Sequence, residues 1–306
     1  MKKTIDMNIA VLMGGSSAER EISLKSGVAI IEALIDRVSN VFSVDPIKPD
    51  WISELSRVDF VFIALHGSFG EDGRVQGLLE LKNIPYSGTG VLGSALGMDK
   101  LRAKQLWKGI GISTPEFYQI DKTTDFKRII DTLGPVFVKP ISEGSSLGMS
   151  VAKTEDDLSR ATAKASELGS GVIAERFIEG SEYTVSILGH EALPVIQIET
   201  NNSFYDYDAK YISGKTIYRC PTDLSNRDLD TIKALSIRAF KSIGCEVWGR
   251  VDLMRDYDGD FFVLEVNTVP GMTANSLVPK SASAANMSMQ DLVLRIISLS
   301  LAGSES

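Results

Sequence analysis

Cysteine is nearly absent. Cys220 and Cys245 are the only two in 306 residues, and their separation excludes both a disulfide framework and a thiolate zinc site. An excess of basic charge is lacking too: the net charge is -8, which gives no support to nucleic-acid binding. No run approaches the ~18 apolar residues of a membrane span. Met1-Lys2-Lys3 could open a signal peptide, but Asp6 and Asn8 interrupt the apolar segment and no small-residue cleavage site follows. Internal repeats and low-complexity segments are missing as well. A soluble, cytoplasmic protein with neither nucleic-acid nor membrane partners is the expectation. The length predicts two or three domains, each with its own core.

What is present concentrates in residues 248–277, WGRVDLMRDYDGDFFVLEVNTVPGMTANSL. Two apolar runs flank Asp258-Gly259, a dipeptide suited to a two-residue hairpin turn. Such a turn sets Tyr257 opposite Asp260, Asp252 opposite Glu265 and Arg250 opposite Asn267. Strand alternation then gathers Arg250, Asp252, Glu265 and Asn267 on one face, with Val251, Leu253, Leu264 and Val266 on the core side. Facing carboxylates repel unless a cation sits between them. Oxygens from Asp, Glu and Asn suit a hard ion such as Mg²⁺. The reading is a metal seat with an arginine beside it; the alternative is a hairpin whose acidic face meets solvent. A calcium loop at Asp256-Tyr257-Asp258-Gly259-Asp260 is excluded, because its sixth and twelfth positions hold Phe261 and Asn267.

Upstream, residues 8–13 (NIAVLM) read as a buried strand running into Gly14-Gly15-Ser16-Ser17, with a helix over 19–35. Strand, glycine turn and helix open an α/β domain that takes ligands at the strand's carboxyl end. Glu19 and Glu21 stand at the helix start, where they either cap it or receive a substrate ammonium. Residues 60–65 form a second strand ending at His66-Gly67, a position suited to ligand contact or to a structural histidine. Gly88-Thr89-Gly90-Val91-Leu92-Gly93 matches a dinucleotide pattern without the strand that should precede it, and Gly214-Lys215-Thr216 lacks a P-loop's first glycine. Both are set aside. Residues 135–138 lead through Lys139 into the glycine- and serine-rich loop 142–148, a hairpin tip able to cover phosphates. Residues 183–188 and 193–198 read as a strand pair. Residues 201–215 have no period of 2 or 3.6 and are long enough for a lid.

The acidic hairpin, with a glycine-rich hairpin more than a hundred residues upstream, resembles the ATP-grasp layout. Gly14-Gly15-Ser16-Ser17-Ala18-Glu19-Arg20-Glu21, His66-Gly67, Glu143-Gly144-Ser145-Ser146, Tyr205-Asp206-Tyr207-Asp208-Ala209-Lys210-Tyr211, Glu265-Val266-Asn267-Thr268 and Pro270-Gly271-Met272-Thr273 follow the order seen in D-alanine–D-alanine ligases. The resemblance covers essentially the whole chain. It implies an α/β (α+β) fold with a Rossmann-like N-terminal domain (1–97), a central ATP-grasp domain with the phosphate loop (98–181) and a C-terminal ATP-grasp domain with the metal hairpin and lid (182–306).

It also implies a reaction. ATP phosphorylates the carboxylate of one D-alanine, and the amine of a second attacks the acyl phosphate to give the dipeptide used in peptidoglycan precursors. By the same resemblance the nucleotide is held by Lys100, Lys139, Glu143, Ser145, Ser146, Glu175, Arg176, Ile178, Glu182, Lys210 and Glu265. Two Mg²⁺ or Mn²⁺ ions would sit on Asp252, Glu265 and Asn267. Glu19 would hold the first ammonium, with His66 near that substrate. Arg250 and the Gly271 N–H would serve the oxyanion, and Ser276 and Leu277 the second carboxylate. Ser145 and Tyr211 would join Glu19 in a network that pins the lid. Arg176 departs from the family's usual lysine. A homodimer is expected. The rivals are a related ATP-dependent carboxylate–amine ligase, including D-alanine–D-lactate or D-alanine–D-serine types, and a silent ATP-binding regulator; retention of Asp252, Glu265, Asn267 and Arg250 speaks against the last.

Overall fold

The computed structural model describes residues 5–144, 147–200 and 216–303. The chain opens with a parallel sheet ordered β2-β1-β3, from β1 (Ile5–Leu12), β2 (Val38–Val44) and β3 (Phe60–Ile63). All four residues of β3 and the last four of β1 are buried, as strands covered on both faces require. Helix α1 (Arg20–Leu34) crosses from β1 to β2. The turn before it needs glycine: Gly14 has φ 89°, and a Cβ there would lie 2.6 Å from Asp45 Oδ2. Asp45 accepts the Gly15 N–H at 2.9 Å and Arg20 Nη2 at 2.6 Å, so the glycine turn is tied to the end of β2.

A second, antiparallel sheet runs β4-β7-β5-β6, from β4 (Phe117–Ile120), β5 (Val136–Pro140), β6 (Ser150–Ala152) and β7 (Val172–Arg176). Helices α6 (Phe126–Leu133) and α7 (Glu155–Ser166) bury Ile129, Leu133 and Leu158 against Val136 and Val138 of this sheet. The third sheet is β11-β10-β8-β12-β13 with β9 added to β8. Its strands are β8 (Gly180–Leu188), β9 (Glu191–Ala192), β10 (Ile196–Glu199), β11 (Ile217–Arg219), β12 (Trp248–Asp256) and β13 (Phe261–Asn267).

Cores cross between these units. Helix α5 (Lys100–Gly109), which follows α2 (Trp51–Glu54), α3 (Arg74–Leu81) and α4 (Val91–Met98), puts Trp107 into the core of the third sheet. There it meets Ile232 and Phe240 of α8 (Asn226–Ser242), whose Ser225 caps it by accepting the Asp228 N–H. Helices α9 (Leu277–Ala284) and α10 (Met289–Gly303) return to the first sheet, where Val278, Ala282, Leu292 and Ile296 pack with Ile9 and Leu12. The end of the chain thereby fixes the loop after β13 against the first sheet. Among the described residues, no helix is long and apolar enough to cross a membrane.

The β12–β13 hairpin pairs Asp252 with Glu265 and Arg250 with Asn267, as its sequence predicts. The route to that register differs. The turn has three residues, not two: the Asp256 N–H bonds Asp260 O at 3.0 Å, and Gly259 takes φ 95°. This offsets the pairing by one residue, so Arg255 faces Phe261 and Leu253 faces Val263. A bulge between Asp252 and Leu253 then restores it. The two shifts cancel at the carboxylates. Leu264 is the extra residue, and it leaves the predicted core side to line a cleft beside Met254 and Glu265.

Candidate active site

Two cavities meet at that hairpin. The first, about 460 Å³, lies between the second and third sheets and is lined by Phe137, Lys139, Met149, Glu175, Arg176, Ile178, Glu182, Asp252, Met254, Leu264 and Glu265, among others. The second, about 760 Å³, lies where the loops of the first sheet face the segment after β13; Glu19, His66, Glu71, Gly144, Arg250, Glu265, Asn267, Gly271, Ser276 and Leu277 border it. Glu265 borders both.

The hairpin face carries its own cations. Arg250 and Asp252 lie two apart on β12, so their side chains emerge together. Arg250 Nε reaches Asp252 Oδ1 at 2.8 Å and Nη2 reaches Oδ2 at 2.7 Å. Asp252 is 6 % exposed and also accepts from Thr184 Oγ1 (2.6 Å) and Asn267 Nδ2 (3.0 Å). Glu265 Oε2 lies 3.4 Å from Lys100 Nζ, which donates to Glu143 O at 2.7 Å. Lys100 is the first residue of α5, where the helix dipole disfavours a cation, and it is buried. Its task is therefore the carboxylate and the loop, not the helix. The repulsion expected between Asp252 and Glu265 is thus relieved by Arg250 and Lys100.

Among the described residues no group of three or more His, Cys, Asp or Glu stands ready for a metal. The expected set has two carboxylates and an amide. Its oxygens suit a hard divalent ion, and a half-turn of the Asn267 amide would present Oδ1 in place of the Nδ2 now donating to Asp252. The donor chemistry fits such an ion.

On the other wall, Glu19 precedes α1 but makes no side-chain cap bond, so the capping role is not the one it fills. Its carboxylate lies between two glycines. A Cβ added at Gly67 would come within 2.7 Å of Glu19 Oε2, and one at Gly144 within 2.6 Å. The α1 start, the β3 loop and the glycine-rich loop therefore converge on one carboxylate. His66 is buried and its Nδ1 lies 2.8 Å from Val269 O, so that nitrogen carries the proton. Its Nε2 lies 3.2 Å from Ser26 Oγ, which accepts the Met272 N–H at 3.0 Å. Burial pushes the imidazole below its ordinary pKa, against the pull of Glu19. This neutral ring bridges the loop 269–272 to α1 and fixes Gly271. Ser276 and Leu277 stand at the start of α9 and border this pocket.

In the first cleft Lys139 pairs with Glu175 and lies over the Phe137 ring. Arg176 lines this cleft too, and its guanidinium pairs with Glu116 at 3.5 Å. Ser145, Ser146, Lys210 and Tyr211, like the lid segment 201–215, lie outside the described residues. Two residues were not singled out from sequence. Glu71 accepts the Gly67 N–H at 2.9 Å, and burial, reinforced by Glu19, pushes its carboxyl up to about 8. Lys104 is fully buried against Glu175. A loop glutamate and a helical lysine carry no sequence signal that separates them from solvated neighbours.

The model for the D-ala D-ala ligase C-terminus matches residues 106–298, and that for the N-terminus matches residues 45–89. The chain belongs to the D-alanine–D-alanine ligase family. Across that family it is 49% identical over 297 residues to a D-alanine–D-alanine ligase from Pseudoalteromonas translucida, covering 96% of this chain and 97% of that one. A D-alanine–D-alanine ligase from Bacillus anthracis, complexed with ATP, is 36% identical with a TM-score of 0.87, covering 98% of this chain and 99% of that one. A D-Ala:D-Ser ligase from Enterococcus faecalis is 28% identical with a TM-score of 0.83, covering 96% and 99%. As in those ligases, the fold is ATP-grasp.

Proposed function

We propose that this ligase joins two D-alanine molecules at the expense of ATP, through a D-alanyl phosphate, for peptidoglycan precursor synthesis. The observation that carries the reading is the position of Glu265, shared by the nucleotide-sized cleft and the polar pocket. A triphosphate in the first and an amino acid in the second would meet there.

Lys139, Glu175, Ile178 and Glu182 hold the nucleotide with the backbone of Arg176, and Lys100 and Glu143 attend its phosphates, joined by Ser145, Ser146 and Lys210. Asp252, Glu265 and Asn267 hold Mg²⁺ or Mn²⁺, which when bound neutralises phosphate charge. Glu19 takes the ammonium of the first D-alanine, with His66 and Glu71 behind it. Arg250 and the Gly271 N–H face the acyl oxygen, where a well-placed donor is worth ~3 kcal/mol. One carboxylate oxygen attacks the γ-phosphorus and ADP departs. The α9 start at Ser276 and Leu277 receives the second D-alanine's carboxylate, whose deprotonated amine attacks the acyl carbon; inorganic phosphate leaves. Ser145 and Tyr211 with Glu19 hold the lid. The division into 1–97, 98–181 and 182–306, a homodimer and a cytoplasmic setting complete the proposal.

ADP release measured with ATP, Mg²⁺ and D-alanine tests it, with D-serine and D-lactate as alternative second substrates. Turnover that depends on D-alanine is expected; strong ADP release without it overturns the assignment.

A further inference from the structure

Helix α5 sends two lysines, one turn apart, into the protein interior. Lys100 reaches the hairpin, as described. Lys104 lies on the same face, is 0% exposed, and itself borders neither cavity. A lysine buried this completely requires charged or polar partners. It has them: Nζ lies 2.7 Å from Glu175 Oε2 and donates to Thr114 Oγ1 at 2.8 Å, and Thr114 in turn donates to Val263 O at 2.8 Å. Glu175 completes the chain by pairing through Oε1 with Lys139. One polar path thus runs from the edge of β13 through α5 to β7 and β5, behind the first cleft.

The charge balance along this path is uneven. Two ammonium groups share one carboxylate that is 2 % exposed. Burial alone would push the Glu175 carboxyl up, but Lys104 and Lys139 together hold it below the ordinary range. Among the described residues, Oε2 has no partner besides Lys104. Lys139 is the member of the trio that borders the cleft as a cation, so it is the one a triphosphate can recruit.

We propose that Lys104 is a positioning residue for nucleotide binding: it keeps Glu175 compensated, so that Lys139 can leave that carboxylate for the phosphates. The inference rests on the nucleotide reading of this cleft. Without Lys104, recruiting Lys139 would strand a buried carboxylate, and the lysine would stay on Glu175.

Steady-state kinetics of Lys104→Met, Glu175→Gln, the double variant and Lys139→Ala test this. Lys104→Met is expected to raise the KM for ATP by roughly thirtyfold or more, since a broken buried pair is costly, while the KM for D-alanine holds within about threefold. Glu175→Gln removes the charge that would be stranded, and because Glu175 itself lines the cleft that variant is the reference. In its background, Lys104→Met should change the ATP KM by no more than about threefold. An unchanged ATP KM in Lys104→Met alone, equal losses for both substrates, or a further loss of roughly thirtyfold when Lys104→Met is added to Glu175→Gln would each overturn the proposal. If Lys104→Met is not recovered folded, the comparison of the double variant with Glu175→Gln decides: matching ATP KM values support the role, and a further loss of roughly thirtyfold refutes it. Lys139→Ala separates the two levels. If it leaves the ATP KM untouched, the nucleotide reading of the cleft fails; if it raises it, that reading stands whatever Lys104 does.

Discussion

Gly144→Ala isolates the role of Glu19 from the stability of the fold. The added Cβ would lie 2.6 Å from Glu19 Oε2, whereas ordinary contact begins at 3.4 Å. The carboxylate must retreat by about 0.8 Å, the difference between those distances, and it ends a flexible side chain that can shift by that much. Gly144 has no left-handed φ, so its backbone accepts alanine. The cost therefore falls on the ligand. A charge-assisted hydrogen bond is worth about 1.5–3 kcal/mol, so the KM for D-alanine should rise roughly tenfold to hundredfold, with little change in Tm. Gly67→Ala provides the contrast. It presses the same oxygen at 2.7 Å but also holds φ at 69°, which adds about 1–2 kcal/mol of backbone strain. Its Tm should fall as well. Initial rates against D-alanine, with thermal melts of both variants, measure this. A D-alanine KM within about twofold of wild type in Gly144→Ala would refute the placement of the ammonium at Glu19.

Other expectations concern charge and register. Glu265→Gln should lower kcat by about a hundredfold or more while the melt stays cooperative, because one charge at the junction of the cavities is lost; a variant with full activity would remove the hairpin from the reaction. Leu264→Arg should abolish ATP binding with the fold intact, whereas Val263→Arg, at a position with no exposure, should unfold the third sheet. Equal stability losses in the two would contradict the bulge. His66 and Glu71 predict opposing pH trends. Because burial holds His66 below its unfolded value, its neutral form contributes stability that is lost as pH falls below about 6.5. Glu71, raised to about 8, makes folding less favourable as pH climbs from the ordinary carboxylate range to that value. Denaturation at several pH values should show a shallower acid loss in His66→Gln and a shallower alkaline loss in Glu71→Gln; unchanged slopes would refute either assignment.

The pairing of Asp252 with Glu265 was legible in sequence because alternation and an Asp-Gly turn constrain register closely. It came out right although two details did not. The extra turn residue and the bulge offset one another, and no local pattern marks either, since Leu264 is as apolar as the core residues it was grouped with. The glycine turn of the first sheet and the β5 lysine were legible for the same reason: each is a local device. Glu71 and Lys104 were not, because their surroundings are assembled by elements far apart in the chain. Burial of Lys104 needs Thr114, β7 and β13 together, and the proton affinity of Glu71 needs first its burial and then Glu19 across the pocket. Of the cations that relieve Asp252 and Glu265, Arg250 was expected on that face, whereas the reach of Lys100 to Glu265 was hidden because it depends on how α5 packs.

In the proposed reaction a substrate carboxylate meets the terminal phosphate of ATP at Glu265, and one measurement follows that contact directly. D-alanine labelled with oxygen-18 in its carboxylate is turned over with ATP and Mg²⁺, and the released phosphate is examined by phosphorus NMR. Attack by the carboxylate predicts one labelled oxygen in each inorganic phosphate, carried there when the amine displaces it from the acyl carbon. Phosphate free of label, accompanied by dipeptide, would contradict the acyl phosphate and with it the reading of Glu265 as the place where the two substrates meet.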